Sequence, residues 1–149
     1  MGQTTTWIVV ANASHARLYE SRGRAAGLAL VQEFEHPESR AKAADLITDR
    51  PGHAASSRGG RRTAYEPNTE VHRHEHDRFA QEIAQALGAA HATNRYDKLV
   101  LTASSAFLGM LKSHLPKTVA RALLDTVDKD YTASSDAELA SILHDILPA

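Results

Sequence analysis

From His36 to about His72 the sequence loses almost all apolar periodicity, and Pro37, Pro51, Gly52, Gly59, Gly60 and Pro67 punctuate the stretch. Periodic apolar spacing is what marks a core-facing helix or strand. The core must therefore come from the two flanks, and the fold must accommodate a long polar insertion between them. Inside it only Ala43, Ala44, Leu46 and Ile47 have the spacing of a short helical turn. Loops of this length in compact domains serve function or stay disordered, so the functional surface is expected between about His36 and His72.

The N-terminal flank reads as an antiparallel meander. Trp7-Ile8-Val9-Val10 is β-branched and aromatic, as a buried strand should be. A turn at Asn12-Ala13-Ser14 leads to an alternating strand over residues 16–20. A second turn over residues 21–27 leads to a third strand over residues 28–34.

The C-terminal flank restores helical spacing from about Arg73 to Ala92, with Phe79, Ala80, Ile83, Ala84 and Leu87 on one face. Residues 98–103 form a buried strand. Ser104 or Ser105 caps the next helix, whose face is Phe107, Leu108, Leu111 and Leu115 and which ends at Pro116. Residues 119–127 fit a strand or a strand with a helical lead-in. Ser135-Asp136-Ala137-Glu138 is a capping box opening a last helix with face Leu139, Ile142, Leu143 and Ile146. Three antiparallel strands followed by β-α units predict a single α/β domain over residues 1–149. Its sheet is ribonuclease H-like and mixed, with helices packed on it, right-handed crossovers and a long loop before the main helix.

Composition narrows the function classes. The chain has no cysteine, which excludes disulfides and thiolate metal sites and suits a reducing compartment. The N-terminus lacks the basic start and apolar run of a secretory signal. No stretch approaches the roughly 18 apolar residues of a membrane span. A cytoplasmic protein is expected. Net charge is −1, but the charge is polarised. Arg50, Arg58, Arg61 and Arg62 lie in a segment free of acids, whereas Asp125, Asp128, Asp130, Asp136, Glu138 and Asp145 face only Lys129 near the end.

WIVVANASHARLYE, HPESRAKAADLITDRPG, HRHEHDRFAQEIA, YDKLVLTASSAFLGMLKSHL and VDKDYT, in this order along nearly the whole chain, together resemble the bacterial host-attachment protein family. That resemblance implies a distant similarity to the middle domain of archaeal and eukaryotic class-one release factors and of Pelota. It would bring a ribonuclease H-like fold and a place in translation. In release factors a Gly-Gly-Gln loop before a long helix enters the ribosome's catalytic centre. Here the corresponding stretch is Ser57-Arg58-Gly59-Gly60-Arg61-Arg62, with Arg61 in place of the glutamine. With 149 residues there is no room for codon-reading domains, so codon-specific termination is not expected.

Paired glycines let backbone approach a ligand closely, and guanidinium forks suit phosphate oxygens. Arg50, Arg58, Gly59, Gly60, Arg61, Arg62 and Arg73 are therefore the expected RNA contacts, set against a plain solubilising loop. Ester hydrolysis would rest on Gly59, Gly60 and Arg61, yet a cationic Arg61 cannot replace a neutral amide that both donates and accepts. In Asp49-Arg50-Pro51-Gly52, preceded by Arg40, Lys42 and Asp45, ion pairs that order the loop are favoured over anion binding. His72 and His76, at i, i+4, have a spacing that can chelate a metal, while His74 falls on another face; a solvated helix start is the simpler account. Ribonuclease H nucleases need clustered carboxylates, but the first strand ends at Asn12 and the later one in Thr102 to Ser105. Asp128-Lys129-Asp130 reads as an exposed charged turn, and no P-loop, dinucleotide fingerprint or nucleophile elbow occurs.

The expectation is a non-catalytic or weakly catalytic translation factor that contacts the ribosome or tRNA. It needs no cofactor, and neither membrane nor DNA is expected as a partner. The alternatives are a protein-interaction module in stress response or host association, and a peptidyl-tRNA hydrolase. The sequence carries no signature of oligomeric state.

Overall fold

The computed structural model describes residues 4–36 and 72–148. Strands β1 (Thr6–Ala11), β2 (His15–Ser21), β3 (Ala29–Glu35), β4 (Lys98–Ala103) and β5 (Leu123–Val127) form one sheet in the order β3-β2-β1-β4-β5. β1 pairs antiparallel with β2, and β2 with β3; β4 runs parallel to β1, and β5 to β4. Helices are α1 (72–92), α2 (Ser105–His114), α3 (Lys117–Arg121) and α4 (Asp136–Leu143). The chain is thus α/β, with a mixed sheet and helices on both faces.

β1 is buried at every position. Its alternation divides the interior in two. Trp7, Val9 and Ala11 join Phe79, Ile83 and Leu87 of α1, Phe107 and Leu111 of α2, and Val119 of α3. Ile8 and Val10 meet Leu139 and Leu143 of α4, with Leu147 behind them. A central strand covered on both faces must be continuously apolar, which is why residues 7–10 do not alternate in polarity.

Trp7 shows how polar atoms are accommodated in this core. Its ring stacks on Tyr96 at 4.7 Å, and the Arg95 guanidinium lies 5.0 Å from the ring centroid. The indole N–H donates to Glu20 Oε1 at 3.1 Å, and the Tyr96 hydroxyl donates to the Leu87 carbonyl at 2.8 Å. Burial pushes the Tyr96 phenol up to about 12. α1 also passes close to the α2–α3 junction: a Cβ on Gly88 would sit 3.1 Å from Pro116 Cγ.

Several local expectations are corrected. The third strand starts at Ala29, because Gly27, with φ +78°, turns the chain just before it. Leu28 instead packs against the α4 core. Ser104 occupies the N-cap position of α2, but its hydroxyl makes no capping bond. Residues 117–121 are a helical lead-in to β5, so the choice left open for 119–127 resolves as helix, then strand. The capping box is present: the Ser135 hydroxyl accepts from Glu138 N–H at 3.1 Å and the Glu138 carboxylate accepts from Ser135 N–H at 2.7 Å. Ile142 is not core. It is 38% exposed, while Leu147 takes the buried place after the helix ends at Leu143. No helix among the described residues is long and apolar enough to cross a membrane.

The two sides of α4 should respond differently to truncation. Leu139→Ala should cost about 2–5 kcal/mol in urea unfolding. Ile142→Ala should cost less than about 1 kcal/mol, since half-exposed side chains leave little cavity. Equal losses would mean that α4 does not seal the second core as described.

Candidate functional site

Of the residues singled out in the sequence, Arg50, Arg58, Gly59, Gly60, Arg61 and Arg62 lie outside the described residues, as do Arg40, Lys42, Asp45 and Asp49. Arg73 is exposed in the first described turn of α1. His36 is a correction to the expected polar surface. It is 4% exposed, its ring stacks on Phe79 at 5.3 Å, and its backbone N–H donates to the Ser14 carbonyl at 3.0 Å. The flat face of an imidazole is apolar enough to close the core at this edge.

The helix start gathers histidines. The rings of His72 and His76 are 6.2 Å apart, and His76 meets His36 edge-on at 6.5 Å. His74 is exposed, as its helical position predicts. His114, at the end of α2, bonds Asp77 Oδ1 through Nε2 at 2.9 Å and ties the two helices together. Among the described residues no group of three or more His, Asp or Glu side chains is placed to hold a metal ion.

Positive charge collects on α2 and α3, on one sheet face. From Lys98 to Leu124 the chain has no carboxylate, and Lys112, Lys117 and Arg121 are all exposed. Lys117 and Arg121 share a helical face at i, i+4. Arg73 and Arg78 are exposed on α1, which packs on the same face of the sheet but also carries Glu75, Asp77 and Glu82. None of these five cations has an ion-pair partner among the described residues. α4, on the opposite face, and its flanking segments carry Asp128, Asp130, Asp136, Glu138 and Asp145 against Lys129.

β1, β4 and β5 are parallel, so their carboxyl ends share one edge of the sheet. Open α/β sheets bind ligands in crevices beyond such ends. Here the segment 128–135 is clasped to β1 and β2. Asn12 Oδ1 accepts from the N–H groups of Ser14 and His15 at 2.8 and 2.9 Å. Asn12 Nδ2 then donates to Asp130 Oδ2 at 3.0 Å and Thr132 Oγ1 at 3.1 Å. Arg17 Nη2 donates to the carbonyls of Thr132 at 2.8 Å, Ser134 at 3.1 Å and, more weakly, Tyr131 at 3.5 Å. The Arg17 guanidinium lies 5.6 Å from the Tyr19 ring centroid, and the Tyr19 hydroxyl donates to Asp136 Oδ1 at 2.8 Å. Burial, followed by that bond, pushes the Tyr19 phenol up to about 12, so it remains a donor at neutral pH. Burial alone would raise Asp130, but hydrogen bonds from Thr132 and Asn12 outweigh it and hold the carboxyl below its ordinary 3.8.

A family model described as "Protein required for attachment to host cells" matches residues 7–143, which run from β1 through α4. The chain belongs to the host-attachment family. A comparison with curated proteins finds no match.

In this host-attachment protein the clasp was only partly legible beforehand. Asn12 stood out as the polar end of an apolar strand, and Asp130 as part of a charged turn. Their bond spans more than a hundred residues, and nothing local announces it. The available signal was Arg17, an arginine that alternates in β2 with buried Ala16 and Leu18 yet lies on the same face as Tyr19. A cation in that register needs acceptors, and the 128–135 carbonyls supply them.

Asp130 sets the pH dependence of the clasp. A carboxyl lowered in the folded state adds stability above its unfolded pKa and loses it as pH falls through the folded value. Asp130→Asn turns the Asn12 contact into donor against donor and should cost about 0.5–1.5 kcal/mol at pH 7. The gap between wild type and variant should close below about pH 3.8. A constant gap from pH 7 to 3, measured by urea unfolding, would contradict the assignment.

Proposed function

We propose that this host-attachment protein is a cytoplasmic, non-catalytic factor that binds ribosomal RNA or tRNA by its phosphate backbone. The carrying observation is that α2 and α3 themselves carry no carboxylate, and that their exposed Lys112, Lys117 and Arg121 have no ion-pair partner among the described residues. Exposed cations on a helical surface can neutralise backbone phosphates and gain from counterion release. The acidic segments around α4 would repel the same polyanion, so the charge distribution orients it. Arg50, Arg58, Gly59, Gly60, Arg61 and Arg62 extend the contact in this reading, as the insertion that feeds into α1.

The strand order β3-β2-β1-β4-β5, antiparallel on one side of β1 and parallel on the other, supports reading the sheet as ribonuclease H-like. That in turn supports the likeness to release-factor middle domains. Binding is favoured over nuclease chemistry because β1 and β4 lead into Asn12 and Ser104 where such enzymes carry carboxylates. Thr102, beside that end of β4, is spent on the Val9 carbonyl at 3.0 Å. Peptidyl-tRNA hydrolysis would rest on Gly59, Gly60 and Arg61 alone. A protein contact in host association is the second reading; the family description favours it, as does exposed Ile142 on acidic α4.

Binding of tRNA and of intact ribosomes, titrated against salt, separates these readings. Lys112→Glu/Lys117→Glu/Arg121→Glu and Arg58→Ala/Arg61→Ala/Arg62→Ala should each weaken binding at least tenfold. Each should also flatten the log–log salt slope by about 0.7–0.9 per lost phosphate contact. Unchanged affinity and slope in both variants would end the RNA reading.

A further inference from the structure

The clasp leaves a cleft of about 390 Å³ between the β2–β3 ribbon and the 128–135 segment, lined by His15, Ala16, Arg17, Glu33, Thr132 and Ala133. That volume lies within the range of small-molecule sites. Arg17 and Glu33 are direct cross-strand partners and project from the same face, the arrangement in which opposite charges normally close on each other. The neighbouring pair does close, with His15 Nε2 3.5 Å from Glu35 Oε2. Arg17 and Glu33 form no ion pair. The cause is visible: Arg17 Nη2 is drawn to the carbonyls of Thr132 and Ser134, and its plane lies over Tyr19. Its Nε and Nη1 donate to no protein group among the described residues, and Glu33 has no hydrogen-bond or ion-pair partner among them. One cation with spare donors and one carboxylate thus line the same cleft, held apart by the fold.

We propose that this cleft binds a small zwitterion of the α-amino-acid type, its carboxylate on Arg17 Nε and Nη1 and its ammonium on Glu33. A simple anion would meet the opposing charge of Glu33, and a simple cation that of Arg17. Only a ligand carrying both charges uses both residues. The inference is independent of the RNA reading, whose cations among the described residues lie on the opposite face of the sheet.

The test is calorimetric titration of the full chain with L-alanine, L-glutamine and dialanine, with acetate and methylammonium as single-charge controls. Backbone amide NMR of the same samples locates the site. Saturable binding of a free amino acid or the dipeptide is expected, and which of the two binds tells a free amino acid from a peptide end. Amide shifts should centre on residues 15–17, 33 and 132–133. Glu33→Gln, at an exposed position that leaves the clasp intact, should weaken binding at least tenfold, and Arg17→Lys should do likewise. A Glu33→Gln affinity equal to wild type would overturn the proposal. So would acetate binding as tightly as the zwitterions, or an absence of shifts with every probe at tens of millimolar. Should Arg17→Lys loosen the 128–135 segment, Glu33→Gln alone decides.

Discussion

β1 is the constraint on which the rest of the structure depends. A strand buried on both faces can satisfy its backbone only through neighbours on both edges, and its side chains only through cover on both sides. β2 and β4 meet the first demand, in antiparallel and parallel register. α1, α2 and α3 on one face and α4 on the other meet the second. Each remaining feature follows from completing that enclosure.

Completing it also segregates charge. On the larger face α2 and α3 bring Lys112, Lys117 and Arg121 with no acid of their own, α1 mixes Arg73 and Arg78 with Glu75, Asp77 and Glu82, and the short cap on the other face brings a run of acids. With a net charge of only −1, the polarity lies in arrangement and not in total. A polyanion approaching such a molecule is steered to one face.

The carboxyl edge shows a different economy. Asn12, Arg17, Asp130 and Thr132 form a connected set of hydrogen bonds, and the Tyr19–Asp136 bond adds a second tie beside the Arg17 guanidinium; together they hold a loop lacking regular structure. In holding the loop, Arg17 is withdrawn from its cross-strand partner Glu33, and a charged cleft remains open. A structural clasp and a binding cleft thus arise from the same side chain.

Local periodicity by itself determined the strands and most helix faces. The spacing of Phe79, Ile83 and Leu87, the unbroken apolar run of β1, and the capping box at Ser135 each depend on residues within a few positions of one another. It erred where local pattern and global burial part. Ile142 fits the helical face but lies beyond the reach of the sheet, and His36 looks polar yet stacks on Phe79. What only the tertiary structure decided is which distant residues meet: Asn12 with Asp130, Arg17 with the 132–134 carbonyls, and His114 with Asp77. The physical reason is that such pairings are set by strand order and loop closure, which no window of neighbouring residues encodes.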